Sequence, residues 1–156
     1  MAHLLKSRRH SARPFALLIC DIDHFKRFTD TLGHLRDDDV IRNVAQTAVA
    51  ALRDTDMVCR WGGEEFIGLA RQCELHDAYE LAEKLRATIA ANAIFQPDDG
   101  TRATISIGVT AHQSEDTIDA MLARVDKALY RAKREGRNCV RVANEHDIWA
   151  DLVAAE

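Results

Sequence analysis

The stretch RWGGEEF, Arg60 to Phe66, constrains the fold more than any other part of the chain. Its strand-like flanks, Met57 to Trp61 and Glu65 to Leu69, are separated only by Gly62, Gly63 and Glu64, the pattern of a tight β-hairpin. A hairpin joins neighbouring antiparallel strands, so it interrupts the strand–helix alternation that a fully parallel, doubly wound sheet requires. The hairpin also gathers permissive backbone and concentrated negative charge at one point.

The flanking segments fit that frame. FALLICDI, Phe15 to Ile22, is a continuous apolar run that takes in an acid, as in a central strand covered on both faces, and it puts Asp21 at the carboxyl end. Val40, Ile41, Val44, Ala45, Ala48 and Leu52 follow helical spacing over Asp38 to Leu52, with Asp37 to Asp39 charging the first turn. Ala78, Leu81, Ala82, Leu85 and Ile89 mark another helix, followed by the turn signal PDDG at Pro97 to Gly100. TISIGVT alternates as a strand. A last helix carries Ile118, Met121, Leu122, Val125, Leu129 and Ala132 and stops at Gly136, before a short strand in CVRV. NEHDIWADLVAAE reads as a short terminal helix. The order predicts an α+β fold with helices packed on the sheet.

At 156 residues the chain fits one domain with a real core, and 47% apolar with 29% charged residues is the composition of a globular protein. A net charge of -4 provides no broad basic surface, which excludes nucleic-acid binding by phosphate tracking and leaves room only for a local Lys/Arg cluster on a phosphorylated ligand. The run FALLIC is too short for a signal sequence or a membrane span, so the chain reads as cytoplasmic with no membrane segment. Cys20, Cys59, Cys73 and Cys139 are widely spaced and read as free, mostly buried thiols.

If the first strand lies beside the hairpin, Asp21 and Glu64 or Glu65 converge on one edge of the sheet. Such carboxylates suit Mg²⁺, which takes a few carboxylate oxygens and keeps other positions for water or phosphate. Each acid alone reads more readily as part of a solvated turn, and the combination with paired glycines weakens that reading. Lys133 and Arg137, in KREGRN, fit a phosphate clamp or the neutralisation of a helix C-terminus. His24 and His34 have no partner at ligand spacing and read as structural; Trp61 and Phe66 read as core or hairpin packing. Arg53 and Asp56, in RDTD, read by themselves as a local surface pair.

Five blocks in order resemble the diguanylate cyclase family, the GGDEF-domain proteins, whose signature accepts GGEEF. They are DIDHFK, GHLRDD, RDTDMVCRWGGEEF, SIGVT and ALYRAKREGRN, spanning about residues 12 to 142. The resemblance implies a palm-like, nucleotidyl-cyclase-like fold with a mainly antiparallel sheet. It also implies Mg²⁺-dependent condensation of two GTP into cyclic di-GMP and two pyrophosphates, with Mn²⁺ an acceptable substitute. Carried over, Asp21, Glu64 and the Ile22 carbonyl are metal ligands, and Glu65 either helps deprotonate the ribose 3′-OH or completes the metal shell. Gly62 and Gly63 let GTP lie on the hairpin, Lys133 and Arg137 hold phosphates, and the N–H groups of Phe25 and Lys26 cradle the terminal phosphate. The reaction then needs a homodimer. Arg53 and Asp56 match an RxxD product-inhibition site, with Lys84 near the place of its second cation.

The sequence departs from the family pattern in three places. Thr29 stands where a guanine-contacting Asn is frequent, beside the retained base-contacting Asp38; Asp37 replaces a frequent Gly; and no DxLTGLxNRR-like segment precedes the first strand. Residues 1–14 therefore read as the tail of a truncated N-terminal helix, 15–142 as the GGDEF domain and 143–156 as a C-terminal tail. An active, product-inhibited cyclase accounts for the retained acids and cations. The alternative is a catalytically idle GGDEF domain that binds cyclic di-GMP or GTP as a signalling module. An unrelated metal-dependent nucleotidyl transferase would leave RDTD unexplained.

Overall fold

In the computed structural model the described residues are 13–32, 34–92 and 103–143. Strand β1, Phe15–Ile22, is buried along its whole length, as its unbroken apolar run requires. It is followed by α1 (Phe25–Leu32), α2 (His34–Ala51), the hairpin β2 (Met57–Gly62) and β3 (Glu65–Arg71), α3 (Leu75–Ala91), β4 (Ile105–Ala111), α4 (Ile118–Arg134) and β5 (Val140–Val142). The sheet order is β2-β3-β1-β4-β5; every pairing is antiparallel except β4 with β5. This is the expected α+β architecture, and the hairpin is the step that breaks the alternation.

The two faces of β1 feed two cores. Leu18, Cys20 and Ile22 pack in one with Val44 and Ala48 of α2 and Ala82 of α3, while Leu17 and Ile19 pack in the other with Val125 and Leu129 of α4. Alternation along the strand therefore dictates which helix each residue meets. Helix α4 approaches the sheet closely at Gly108, where a Cβ would stand 2.5 Å from the Val125 carbonyl oxygen and 2.6 Å from the Leu129 nitrogen. One polar clip fixes the same helix. The buried Arg124 guanidinium donates to Thr110 Oγ1 at 2.7 Å, to the Ala111 carbonyl at 2.9 Å and to both oxygens of Asp116 at 2.9 and 2.6 Å.

Several boundaries differ from the sequence reading. Helix α1 is an element of its own, and α2 starts at His34, ahead of the acidic cluster. Trp61 is 56% exposed, whereas Phe66 is buried, so only Phe66 packs in the core. Trp61 follows Met57 and Cys59 along the exposed face of edge strand β2, at the point where the β2–β3 register shifts between Arg60 and Gly62. The PDDG turn, the N-terminal tail before residue 13 and the NEHDIWADLVAAE segment lie outside the described residues. Among the described residues, no helix is long and apolar enough to cross a membrane.

Candidate active site

Asp21 lies near the carboxyl end of β1, opposite Glu65 of β3 on one side and Ser106 of β4 on the other. The adjacent Ile22 N–H donates to the Glu64 carbonyl at 3.3 Å, so both hairpin glutamates are anchored beside Asp21 through the backbone. The Lys133 ammonium, from the last turn of α4, sits 2.9 Å from Asp21 Oδ2. Burial pushes the Asp21 carboxyl above the ordinary carboxylate range; the Lys133 hydrogen bond and charge pull it part of the way back, and Glu64 and Glu65 push it up again. Four of the residues singled out in the sequence, Asp21, Glu64, Glu65 and Lys133, are thus neighbours in space.

The hairpin turn is two residues long, Gly63–Glu64, because Gly62 already pairs with Glu65. Gly63 takes φ +51°, which glycine adopts without strain. Gly62 is different: a Cβ there would meet no protein atom within 4 Å, and its φ is outside the left-handed region. Neither backbone nor packing demands glycine at position 62. Arg60 Nε donates to the Gly63 carbonyl at 2.7 Å and steadies the turn.

Across the site, Phe25 and Lys26 begin α1, where first-turn N–H groups have no intrahelical acceptor. Just before them, His24 adopts φ 54° and its carbonyl accepts the Arg27 N–H, so this histidine serves through its backbone. Thr29 turns its hydroxyl into its own helix, donating to the Phe25 carbonyl at 3.4 Å. Asp38 is exposed on α2. Arg137 is exposed in the turn after α4, and its backbone has φ 62°. The structure does not gather all the acids at one point: among the described residues, no group of three His, Cys, Asp or Glu side chains is placed to hold a metal ion. The residues nevertheless fit Mg²⁺, which needs only one or two carboxylates and completes its octahedron with water and substrate phosphate.

Sequence reasoning missed Asp23. Its side chain is buried, with Oδ1 accepting from Ser106 Oγ at 2.6 Å and Oδ2 accepting from Thr104 Oγ1 at 2.7 Å and from the Asn138 N–H at 2.9 Å. The only signal was indirect: polar Thr104 and Ser106 interrupt an otherwise apolar strand region. At the other end of the hairpin, Asp56 accepts the N–H groups of Arg53 at 3.1 Å and Arg71 at 2.9 Å, and its side chain is fully buried. Arg53 keeps an exposed guanidinium with Nε 4.0 Å from Asp56. Lys84 is exposed on α3.

Known proteins are similar to this chain in sequence and fold. The family model described as diguanylate cyclase, GGDEF domain, matches residues 1–139. Diguanylate cyclase DgcM of Escherichia coli (strain K12) is 42% identical over 132 residues, covering 85% of this chain and 32% of its own length. The chain therefore spans about a third of that relative. Among solved structures, the active GGEEF domain of a diguanylate cyclase from Vibrio cholerae is 30% identical with a TM-score of 0.84, covering 92% of this chain and 91% of that one. The coiled coil and GGDEF domain of DgcB from Caulobacter crescentus, in complex with c-di-GMP, is 27% identical with a TM-score of 0.84, covering 90% of this chain and 75% of that one. A match of this extent, on a sheet that brings Asp21, the GGEEF hairpin and Lys133 together, makes the chain a member of the GGDEF-domain family.

Proposed function

We propose that this chain is a diguanylate cyclase. The carrying observation is the juxtaposition of buried Asp21, the glutamates of the hairpin and the Lys133 ammonium beside glycines whose side-chain space is open. In the reaction, the ribose 3′-oxygen of one GTP forms a bond to the α-phosphorus of another as the bond to pyrophosphate breaks. Repeating the step in the opposite sense closes the ring and releases the second pyrophosphate. Because the two new bonds are equivalent, two chains facing each other as a homodimer, each holding one GTP, satisfy the chemistry with one kind of site.

Asp21, Glu64 and the Ile22 carbonyl would hold Mg²⁺ or Mn²⁺. When bound, the metal supplies charge neutralisation for the triphosphate and acidifies the attacking hydroxyl. Glu65 accepts the 3′-proton or adds to the metal shell. Lys133, which lies against Asp21, would reach a phosphate oxygen of the bound nucleotide, Arg137 offers a guanidinium fork, and the N–H groups of Phe25 and Lys26 cradle the terminal phosphate. Guanine lies against Gly62 and Gly63, with Thr29 and Asp38 toward the base. Product inhibition resides at Arg53, held by Asp56 and assisted by Lys84.

The test is incubation of the concentrated chain with GTP and Mg²⁺, with products resolved by chromatography. Cyclic di-GMP from the unsubstituted chain and a loss of roughly 100-fold or more in Glu64→Ala is the expected result. The engaged hydroxyl of Thr29 favours a second reading, a nucleotide-binding module without turnover, because it offers guanine no amide. Binding of cyclic di-GMP without any product would select that reading.

A further inference from the structure

We propose that Asp23 is a positioning residue of this site: its carboxylate fixes the turn after α4 and thereby sets where the Arg137 side chain starts from relative to Asp21. The inference rests on the cyclase reading for its functional consequence, and on the hydrogen bonds alone for the tether. Asp23 is 3% exposed, and a buried carboxylate is tolerated only when its oxygens are satisfied. Both are engaged. Oδ1 accepts from Ser106, Oδ2 accepts from Thr104 and from the Asn138 N–H, and the Asp23 N–H itself donates to the Thr104 carbonyl at 2.9 Å. With its oxygens so occupied, Asp23 is not a further ligand for the metal.

What the carboxylate holds is an unusual turn. Gly136, Arg137 and Asn138 have φ of 111°, 62° and 43°, three successive residues in the left-handed region. For the two that carry side chains this conformation costs about 1 kcal/mol or more each, and persists only where surrounding bonds over-determine it. Those bonds are present. The Arg137 N–H donates to the Ala132 carbonyl at 3.0 Å, the Asn138 N–H is taken by Asp23, and the Asn138 side-chain oxygen accepts from Arg86 Nη1 at 2.9 Å. Arg86 is itself paired with Glu83, so the turn is pinned from the residue just after β1 and from α3 together. Helix α4 ends at Arg134, and its C-terminal cap reaches only as far as the Arg137 N–H, bonded to Ala132; the residue that follows is held by Asp23. The Asp23 tether, two residues from Asp21, ties this capped turn to the strand end that carries the site.

The experiment measures binding of a GTP analogue with a methylene between the α- and β-phosphorus, in excess Mg²⁺, by calorimetry on the full chain. Asp23→Ala is expected to weaken binding roughly 10-fold or more, the scale of losing an outer hydrogen-bond partner. In an Arg137→Ala background it is expected to add less than about threefold, since residues acting through one another are not additive. Equal losses in both backgrounds, or none, would overturn the proposal. Asp23→Asn keeps an oxygen for the Asn138 N–H, and Ser106 can turn its hydroxyl to accept; this variant folds with the tether intact and is expected to bind within about threefold of the unsubstituted chain. A loss in Asp23→Asn as large as in Asp23→Ala would mean that the charge matters, not the tether, and overturn the proposal. An unsubstituted chain that binds no analogue would overturn the cyclase reading, and amide exchange then decides the tether alone. Loss of Asn138 protection in Asp23→Ala, but not in Asp23→Asn, supports the tether, and unchanged protection refutes it.

Discussion

At the scale of the residue, a carboxylate can serve a ligand or its own backbone, and at Asp56 the second use occupies both oxygens. The N–H groups of Arg53 and Arg71 close the turn into β2 and tie it to the end of β3, leaving the exposed Arg53 guanidinium as the group able to meet an anion. Arg53→Ala is therefore expected to abolish inhibition by added cyclic di-GMP with the initial rate within about twofold, whereas Asp56→Ala costs stability as well, about 1 kcal/mol for each bond lost. Rates measured with and without added product, beside denaturant melts, separate the two; inhibition unchanged in Arg53→Ala would remove this site. RDTD read from sequence made the pair equal partners, because spacing does not reveal what is buried. Asp23 escaped notice for a related reason: its partners Thr104, Ser106 and Asn138 are remote in sequence, and no local pattern marks an acid as a tether. Asp21 and the hairpin glutamates were legible because a strand end and a tight turn each mark a sheet edge, so that only the pairing of β1 with β3 was needed to bring them together.

At the scale of the element, the packing of α4 on β4 depends on a missing side chain. The backbone of α4 passes Gly108 so closely that a methyl group would displace the helix, and through it Lys133. Gly108→Ala is expected to destabilise the protein by about 1–3 kcal/mol, the cost of overpacking, as read from the denaturation midpoint; Gly68→Ala, where a Cβ meets only ordinary contacts at 3.8 Å, is the matched control. A Gly108→Ala midpoint equal to that of the control would contradict the packing account. Long elements with strong periodicity were legible: β1, the hairpin, α3 and α4 all appear where the apolar spacing puts them. Helix α1 was not, because Phe25, Phe28 and Leu32 keep helical spacing over only eight residues, too short a window to separate it from the longer helix that follows. The irregularity at Trp61 was hidden too, since an extra residue in a strand looks like regular alternation until its partner is known.

At the scale of the whole molecule, acid stability is tied to the Arg124–Asp116 clip, which joins α4, β4 and the connection between them. Burial alone would raise the Asp116 carboxyl, but the Arg124 hydrogen bonds and charge, with the Gln113 N–H, bring it below the ordinary carboxylate range. A depressed folded value means that this stabilisation is present above the ordinary range, about pH 4, and is lost as the pH falls through the folded value. Stability by denaturant titration is expected to fall on acidification below about pH 4, and less steeply in Asp116→Asn, which is already weaker at neutral pH by about 3–5 kcal/mol through an unpaired buried Arg124. Parallel acid profiles for the two proteins would show that other groups carry the effect. The same long connections have a kinetic meaning. Asp21 faces Glu65 and Ser106 only after β1 has been joined by strands that come much later in the chain, so no short segment can assemble the centre while the rest is unformed. A nascent or partly melted chain therefore holds no half-built nucleotide site, and activity should appear and vanish together with the fold, as a single cooperative event.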